Sequence, residues 1–363
     1  MQDPSDTRGA QAKTPSLAQQ EWPEGGLESV SVCPLCGDPG RTLLHSGLWD
    51  KVFFAAPGRW TLWRCDLCRS AFLDPRPNRD TIGLAYSRYY THATTEQPAP
   101  ATAFQRLRSA LGNGYRNARY GTRVKPALAL GRTIGALVPR FAGAVDIVFR
   151  YLPRRPSSLP GRLLDIGCGN GDFLAVARSA GWEAHGSDPD AAAQAAARRR
   201  GFDVRLGGAE AWTDEQGTFD AVTLNHVLEH VHDPLKTLRD AFLLLRAGGQ
   251  LYIETPNIDA AGHEIYGMNW RGLEPPRHLV LFNHDSLGGA LAQTGFANIR
   301  FRSRPSPLPY LGLLSARMAA GLDPNDDTTP LPAAAQAALP KRLRERPRPG
   351  RSEFLTVTCE RPS

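Results

Sequence analysis

From residue 161 onward the chain alternates between compact apolar runs and longer amphipathic stretches. The runs at 162–165, 183–187, 203–206, 219–224 and 250–254 have strand length, and helical spacing fills most of the intervals between them. Leu235, Leu238, Phe242 and Leu245 stand three, four and three residues apart, which sets them along one helix face. Gly248-Gly249 is expected to close that helix as a C-cap. Strand and helix in alternation predict a parallel sheet covered on both faces. A helix near 286–293, a strand near 298–302 and a last strand near 354–359 extend the pattern. Between the last two strands, 304–351 reads as an insert, part helical and part rich in Pro and Arg, serving as a lid or a mobile segment.

Ahead of residue 159 the pattern changes. Residues 1–30 are rich in Gln, Pro, Ser and Gly and are expected to form a disordered arm. Residues 31–75 hold four cysteines, aromatic residues and tight turns, and 76–158 are expected to form a helical connector. The regular α/β unit is expected over 159–303 plus 352–361, with 304–351 as the insert. No internal repeat is visible.

The net charge of +7 is modest for 363 residues, but 101–155 contain eleven Lys/Arg against one acid, Asp146. Such an excess suits an acidic substrate, an anionic lipid or RNA, and equally a solvated helical face. The N-terminus lacks the apolar stretch of a secretory signal, and no apolar run has the roughly 18 residues of a spanning helix. A cytoplasmic address is therefore expected. The stretch 133–150 suits either a peripheral contact with a membrane surface or a buried linker helix.

In that compartment paired cysteines are metal ligands rather than disulfides. Cys33-x-x-Cys36 and Cys65-x-x-Cys68 have the spacing of two knuckles, each presenting two thiolates to one ion. Four thiolates make a closed site, so a structural Zn²⁺ in a zinc ribbon is expected. Cys168 and Cys359 have no such pattern and are expected to be packed thiols.

The first α/β strand runs into Gly167, Gly169 and Gly171, a G-x-G-x-G spacing and not the G-x-G-x-x-G of dinucleotide sites. Asp165 precedes the loop, where a carboxylate would repel a pyrophosphate but suits a cofactor with a positive centre. This points to S-adenosylmethionine (SAM) and to methyl transfer. Glycines allow close backbone approach, and the helix start offers free N–H groups to the carboxylate of the methionine part. Asp188 ends the second strand, 17 residues after Gly171, near the distance at which an acid meets ribose hydroxyls. It is also suited to cap the helix that follows Pro189.

Residues 161–257 resemble class I SAM-dependent methyltransferases in the run 164–171, Ser187-Asp188, Phe219-Asp220-Ala221-Val222, the run 225–231, and 245–249. The resemblance implies a Rossmann-like class I sheet. It implies that Asp165 holds the methionine end of SAM, that Asp188 binds ribose, and that Asn225 and His226 border the transfer site. Gly208-Ala209-Glu210 resembles the stretch that covers adenine, which adds Glu210. The cysteine pairs ahead of this unit, and the run 270–282 followed by Ser286-Leu287, are similar to a bacterial subgroup, some of whose members act on sugars or surface glycans. In sugar C-methyltransferases with an N-terminal zinc module, a histidine in a His-x-x-x-Phe setting acts as base, and His278 and Phe282 have that spacing.

The expected function is thus SAM-dependent methyl transfer to oxygen or carbon of a sugar, glycan or other small molecule. His278 or His226 is the base, and His230 supports the loop. Asn225-His-Val-Leu replaces the [Asp/Asn/Ser]-Pro-Pro-[Tyr/Phe] of many nitrogen methylators. One alternative is a zinc-containing rRNA or tRNA methyltransferase, although no RNA module with stacking aromatics is recognisable. The other is a non-catalytic interaction protein, against which the intact glycine loop and Asp188 speak.

Overall fold

The computed structural model describes residues 17–87, 102–146, 149, 152, 161–302, 308–344 and 350–363. Residues 1–16 of the expected arm, and parts of the connector and insert, lie outside the described residues. The arm nevertheless ends earlier than expected. A 3₁₀ turn occupies Leu17–Gln19, and β1 (Leu27–Glu28) pairs antiparallel with β5 (Arg76–Pro77). Trp22 is the physical reason: its ring is buried edge-on to Trp60 at 5.2 Å, and its Nε1 donates to Gly26 O and Thr81 Oγ1.

The cysteine module is built on β2 (Arg41–Leu48), β3 (Trp60–Cys65) and β4 (Ala71–Leu73), a meander of antiparallel strands. Three helices of the connector follow, α1 (Ala103–Tyr120), α2 (Leu130–Leu137) and α3 (Pro139–Asp146). Thr102 and Gln105 form a reciprocal capping box at the start of α1.

The α/β unit has the expected alternation. Its strands are β6 (Arg162–Ile166), β7 (Glu183–Asp188), β8 (Asp203–Leu206), β9 (Phe219–Asn225) and β10 (Leu245–Pro256). The intervening helices are α4 (Asp172–Ser179), α5 (Ala191–Arg199) and α6 (Pro234–Leu244), with a 3₁₀ stretch at Ala209–Glu215. After β10 come α7 (Ala261–Tyr266), the two-residue β11 (Val280–Leu281), α8 (His284–Gln293) and β12 (Ala297–Phe301). The insert supplies α9 (Leu308–Ala319), which packs on α7, and α10 (Ala333–Arg344), before β13 (Phe354–Glu360) closes the chain.

The seven-stranded sheet runs β12-β13-β10-β9-β6-β7-β8, with β13 antiparallel to both its neighbours. The strand order reverses between β6 and β9, so their carboxyl ends open a crevice of the kind where such sheets bind ligands. Leu163, Leu164, Val222, Leu224, Leu251 and Ile253 are fully buried, as expected for central strands covered on both faces.

One helix end departs from expectation. α6 stops at Leu244, and Leu245 is already extended and paired with Phe219. Gly248-Gly249 therefore lies in the irregular start of β10, between Leu245 and Gln250, and is not a C-cap. The Leu245 side chain remains fully buried, so the apolar stripe continues across the change of element.

The two halves share structure. β11 belongs to the α/β unit by sequence, yet it pairs with β4 through Val280↔Phe72 and Leu281↔Ala71, completing the sheet β11-β4-β3-β2. Asn283 Nδ2 donates to Cys68 O, Arg64 pairs with Asp259, and the fully buried Arg277 meets the fully buried Asp50. The cysteine module is thus continuous with the α/β unit through the segment that follows β10.

Candidate functional site

The glycine loop leaves β6 with Gly167, Gly169 and Gly171 all in the left-handed region, at φ 75°, 55° and 83°. A Cβ at Gly167 would stand 2.5 Å from Val227 Cγ2, so glycine there lets the 226–230 loop close against the turn. At Gly169 no atom lies within 4 Å of that position, which leaves the loop open on its outer side. Gly169 N–H donates to Asp188 Oδ2 at 2.8 Å and Asp190 N–H to Oδ1 at 2.9 Å. Asp188 therefore sits at the carboxyl end of β7, and it is Asp190, not Asp188, that caps α5 through Ala192 N and Ala193 N.

Asp165 is buried within β6 and accepts a hydrogen bond from Thr223 Oγ1 at 2.6 Å. Burial raises its pKa to about 7; the Thr223 hydroxyl opposes the shift and the neighbouring Asp188 charge adds to it. Such a carboxyl gains from a cation placed beside it. At the end of β9 the side-chain oxygen of Asn225 is buried without a hydrogen-bond partner, an acceptor aimed at a missing donor. A SAM molecule, whose methionine part carries an ammonium group, fits both features. Glu210 is exposed, and its Oε1 accepts from Gly208 N at 2.7 Å, so it braces its own loop.

His226 follows Asn225 with φ 55°. Its backbone N–H donates to Glu254 O at 2.8 Å, its ring packs edge-on to Phe354, and its side chain is 35% exposed. Nδ1 lies 3.2 Å from Glu229 Oε1 and Nε2 3.8 Å from Glu254 Oε1, both carboxylates being fully buried. Burial alone would depress this histidine, but the Glu229 hydrogen bond and the charges of Glu229, Glu254 and Glu274 raise its pKa overall. Burial likewise works against ionised Glu229, yet His226, His230 and His278 hold its carboxyl down at about 2. Thr255 Oγ1 donates to the other Glu229 oxygen and Thr356 Oγ1 to Glu254.

His278 is not at the crevice surface. It is 3% exposed, its Nδ1 is 2.8 Å from Gly272 O, and its ring lies edge-on to His230 at 4.7 Å. Burial takes its pKa down to about 4, with the nearby carboxylates of Glu274 and Glu229 only partly offsetting this. His230 bridges Tyr86 OH and Arg277 O through Nδ1. Glu229, His230 and His278 bring one ligand atom each within 4.8 Å of the others, a group that could hold a divalent cation. Glu229, Glu254 and Thr223 were not identified from sequence. Only Glu229 carried a signal, its position three residues after His226 in a run read for its histidines.

The four cysteines converge as expected. All four sulfurs lie within 4.8 Å of one another, with Cys33–Cys68 at 3.6 Å and Cys36–Cys65 at 3.5 Å. Tetrahedral thiolates about 2.3 Å from zinc stand roughly 3.8 Å apart, so the cluster fits the ion. Cys168 and Cys359 are buried separately.

Residues 139–300 match a family model described as a methyltransferase domain. A ubiquinone biosynthesis O-methyltransferase from Parvibaculum lavamentivorans is 33% identical over 141 residues, covering 35% of this chain and 56% of that protein. The protein of the same name from Xanthomonas campestris pv. campestris is 37% identical over 108 residues, covering 28% and 45%. The chain spans about half the length of these curated relatives. A solved SAM-dependent methyltransferase from Thermotoga maritima, 18% identical, overlaps 63% of this chain and 99% of that one with a TM-score of 0.39.

Proposed function

We infer that this chain, built on a class I SAM-dependent methyltransferase domain behind a four-cysteine module, transfers the methyl group of SAM to a hydroxyl oxygen of a small-molecule acceptor. One observation carries an acceptor that loses a proton: a carboxylate-backed imidazole, that of His226, partly exposed on the loop that closes against the glycine turn. A hydroxyl must lose its proton as it is methylated, and a histidine backed in this way is suited to take it. The similarity to O-methyltransferases of ubiquinone biosynthesis favours oxygen over carbon. A sugar or glycan hydroxyl is compatible with the same site.

When bound, SAM supplies an electrophilic methyl on a positive sulfur. Asp165 would face its ammonium group, Asn225 Oδ1 would accept from that group, and Asp188 would accept from the ribose hydroxyls. Glu229, ionised and buried, holds a proton on His226 Nδ1 and leaves Nε2 as the acceptor. Nε2 would take the proton of an acceptor hydroxyl held beside it, freeing the oxygen's electron pair for the methyl group. Positioning the two reactants is worth up to about 7–11 kcal/mol in ideal cases, and the base adds roughly 10²–10⁴-fold. The four thiolates would hold a structural zinc that fixes the module against the loop carrying His278.

The test measures S-adenosylhomocysteine release with a panel of phenols and sugars. His226→Ala should lower turnover by about 10²–10⁴-fold while SAM still binds. Methyl recovered on carbon or nitrogen, or unchanged turnover in that variant, would overturn the reading.

A further inference from the structure

We propose that the helical unit α1–α3 is a docking face for a membrane leaflet rich in anionic phospholipid. Two properties meet there. Over the described residues 102–146 there are eight Lys/Arg and one acid. That acid, Asp146, is already engaged: Tyr115 OH and Tyr120 OH donate to it at 3.1 and 2.6 Å, and Arg119 stands at 3.7 Å. Arg106, Arg108, Arg123, Lys125, Arg132 and Arg140 are exposed and have no ion-pair partner among the described residues.

The same unit turns large apolar side chains outward. Phe104 is 73% exposed, Leu107 51%, Leu130 60% and Leu137 76%. Single exposed leucines are ordinary, but four large apolar side chains exposed on a unit that also carries six exposed cations have the make-up of an interfacial helix surface. A Cβ at Gly114 would lie 1.8 Å from Leu128 O, and one at Gly131 1.9 Å from Leu111 O. α1 and α2 are thus in backbone contact, with no room between them for a further side chain. Tyr115 already fills the space over Gly135.

Charge alone would serve RNA as well as lipid. The apolar set favours lipid, because three of its four members are leucines, which do not stack on bases, and Tyr115 and Tyr120 direct their hydroxyls to Asp146, leaving Phe104 as its one exposed aromatic ring. No described helix is long and apolar enough to cross a membrane, so the contact is peripheral. The proposal stands whatever the methyl acceptor proves to be.

The test is co-sedimentation of the full, zinc-loaded chain with vesicles of phosphatidylcholine alone, or with phosphatidylglycerol as about a third of the lipid. Binding should be about tenfold or more stronger to the anionic vesicles and should weaken as salt rises. The triple variant Phe104→Asp, Leu107→Asp, Leu137→Asp should lose sedimentation while its melting temperature stays put. Should that variant misfold, Arg106→Gln, Arg108→Gln, Arg132→Gln decides, since it should lose the preference for anionic lipid. A wild-type chain left in the supernatant overturns the proposal. So does anionic-lipid preference unchanged in the charge variant, or a single-stranded RNA that outcompetes the vesicles.

Discussion

Asp50 and Arg277 lie face to face with neither side chain exposed, joined by Oδ1–Nη2 at 2.7 Å and Oδ2–Nη1 at 3.0 Å. The same carboxylate accepts backbone N–H groups from Val52, Phe53, Ala55 and Ala56, and the Phe53 ring lies 4.4 Å from the guanidinium. One buried pair therefore shapes a loop of the cysteine module and pins the segment that carries His278. Removing Arg277 leaves Asp50 buried without its counter-charge, held only by its backbone hydrogen bonds. Arg277→Ala should cost about 3–5 kcal/mol in urea unfolding, and Arg277→Lys should recover only part of this, because an ammonium cannot reproduce the two-pronged geometry. A loss under about 1 kcal/mol would mean water reaches the pair.

Metal removal should act across the join as well as within the module. The purified protein should carry about one zinc per chain. Chelation, or Cys68→Ser, should lower the melting temperature and raise hydrogen exchange at Leu73, whose N–H donates to Leu279 O where β4 meets β11. Unaltered protection at Leu73 would show that the join holds without the metal.

Asp165 makes SAM affinity depend on pH. With its pKa held up at about 7, the carboxyl is largely protonated below neutrality in ligand-free protein. A bound ammonium favours the ionised form, so below about pH 7 binding releases a proton, and affinity rises with pH up to about 7 and levels off above it. Calorimetry in buffers of different ionisation heat reads that proton directly. Asp165→Asn should flatten the profile; a profile already flat in the wild type would put the ammonium elsewhere.

Acid should weaken the fold through the buried histidines. Burial lowers both His263 and His278 to about 4, and lowers His45, whose Nε2 meets His263 Nε2 at 2.8 Å across the join. In the unfolded chain each takes up a proton near 6.5 that the folded protein refuses. The stability they contribute is complete above that value and is lost as pH falls from about 6.5 toward 4. Unfolding midpoints at successive pH values should trace this loss, and His263→Gln should make it shallower.

The α/β unit was largely legible because its signals are local. Strand runs, Asp165 with its three glycines, Asp188 and the paired cysteines each announce themselves within a few residues. What escaped depends on distant contacts. β11 is two residues long and finds β4 about 200 positions away, so no periodicity marks it. His278 and His226 look alike in sequence; only the packing of Gly272 and His230 over one, and its absence over the other, separates a buried ring from one open to the crevice. Gly248-Gly249 has the composition of a helix cap, but Leu245 gains more from pairing with Phe219 than from one further helical turn. Trp22 was lost in a polar neighbourhood whose average hid a single anchoring ring.

The strand borrowed from downstream sets a timetable for synthesis. β4, three residues all buried in the finished protein, leaves the ribosome about 200 residues before β11 does. At about 5–20 residues per second, that is a wait of roughly ten to forty seconds. Throughout it, Ala71-Phe72-Leu73 presents a bare apolar edge to any strand that passes. Chains cut short before residue 280 would keep that edge for good, and they should clump where the complete chain does not.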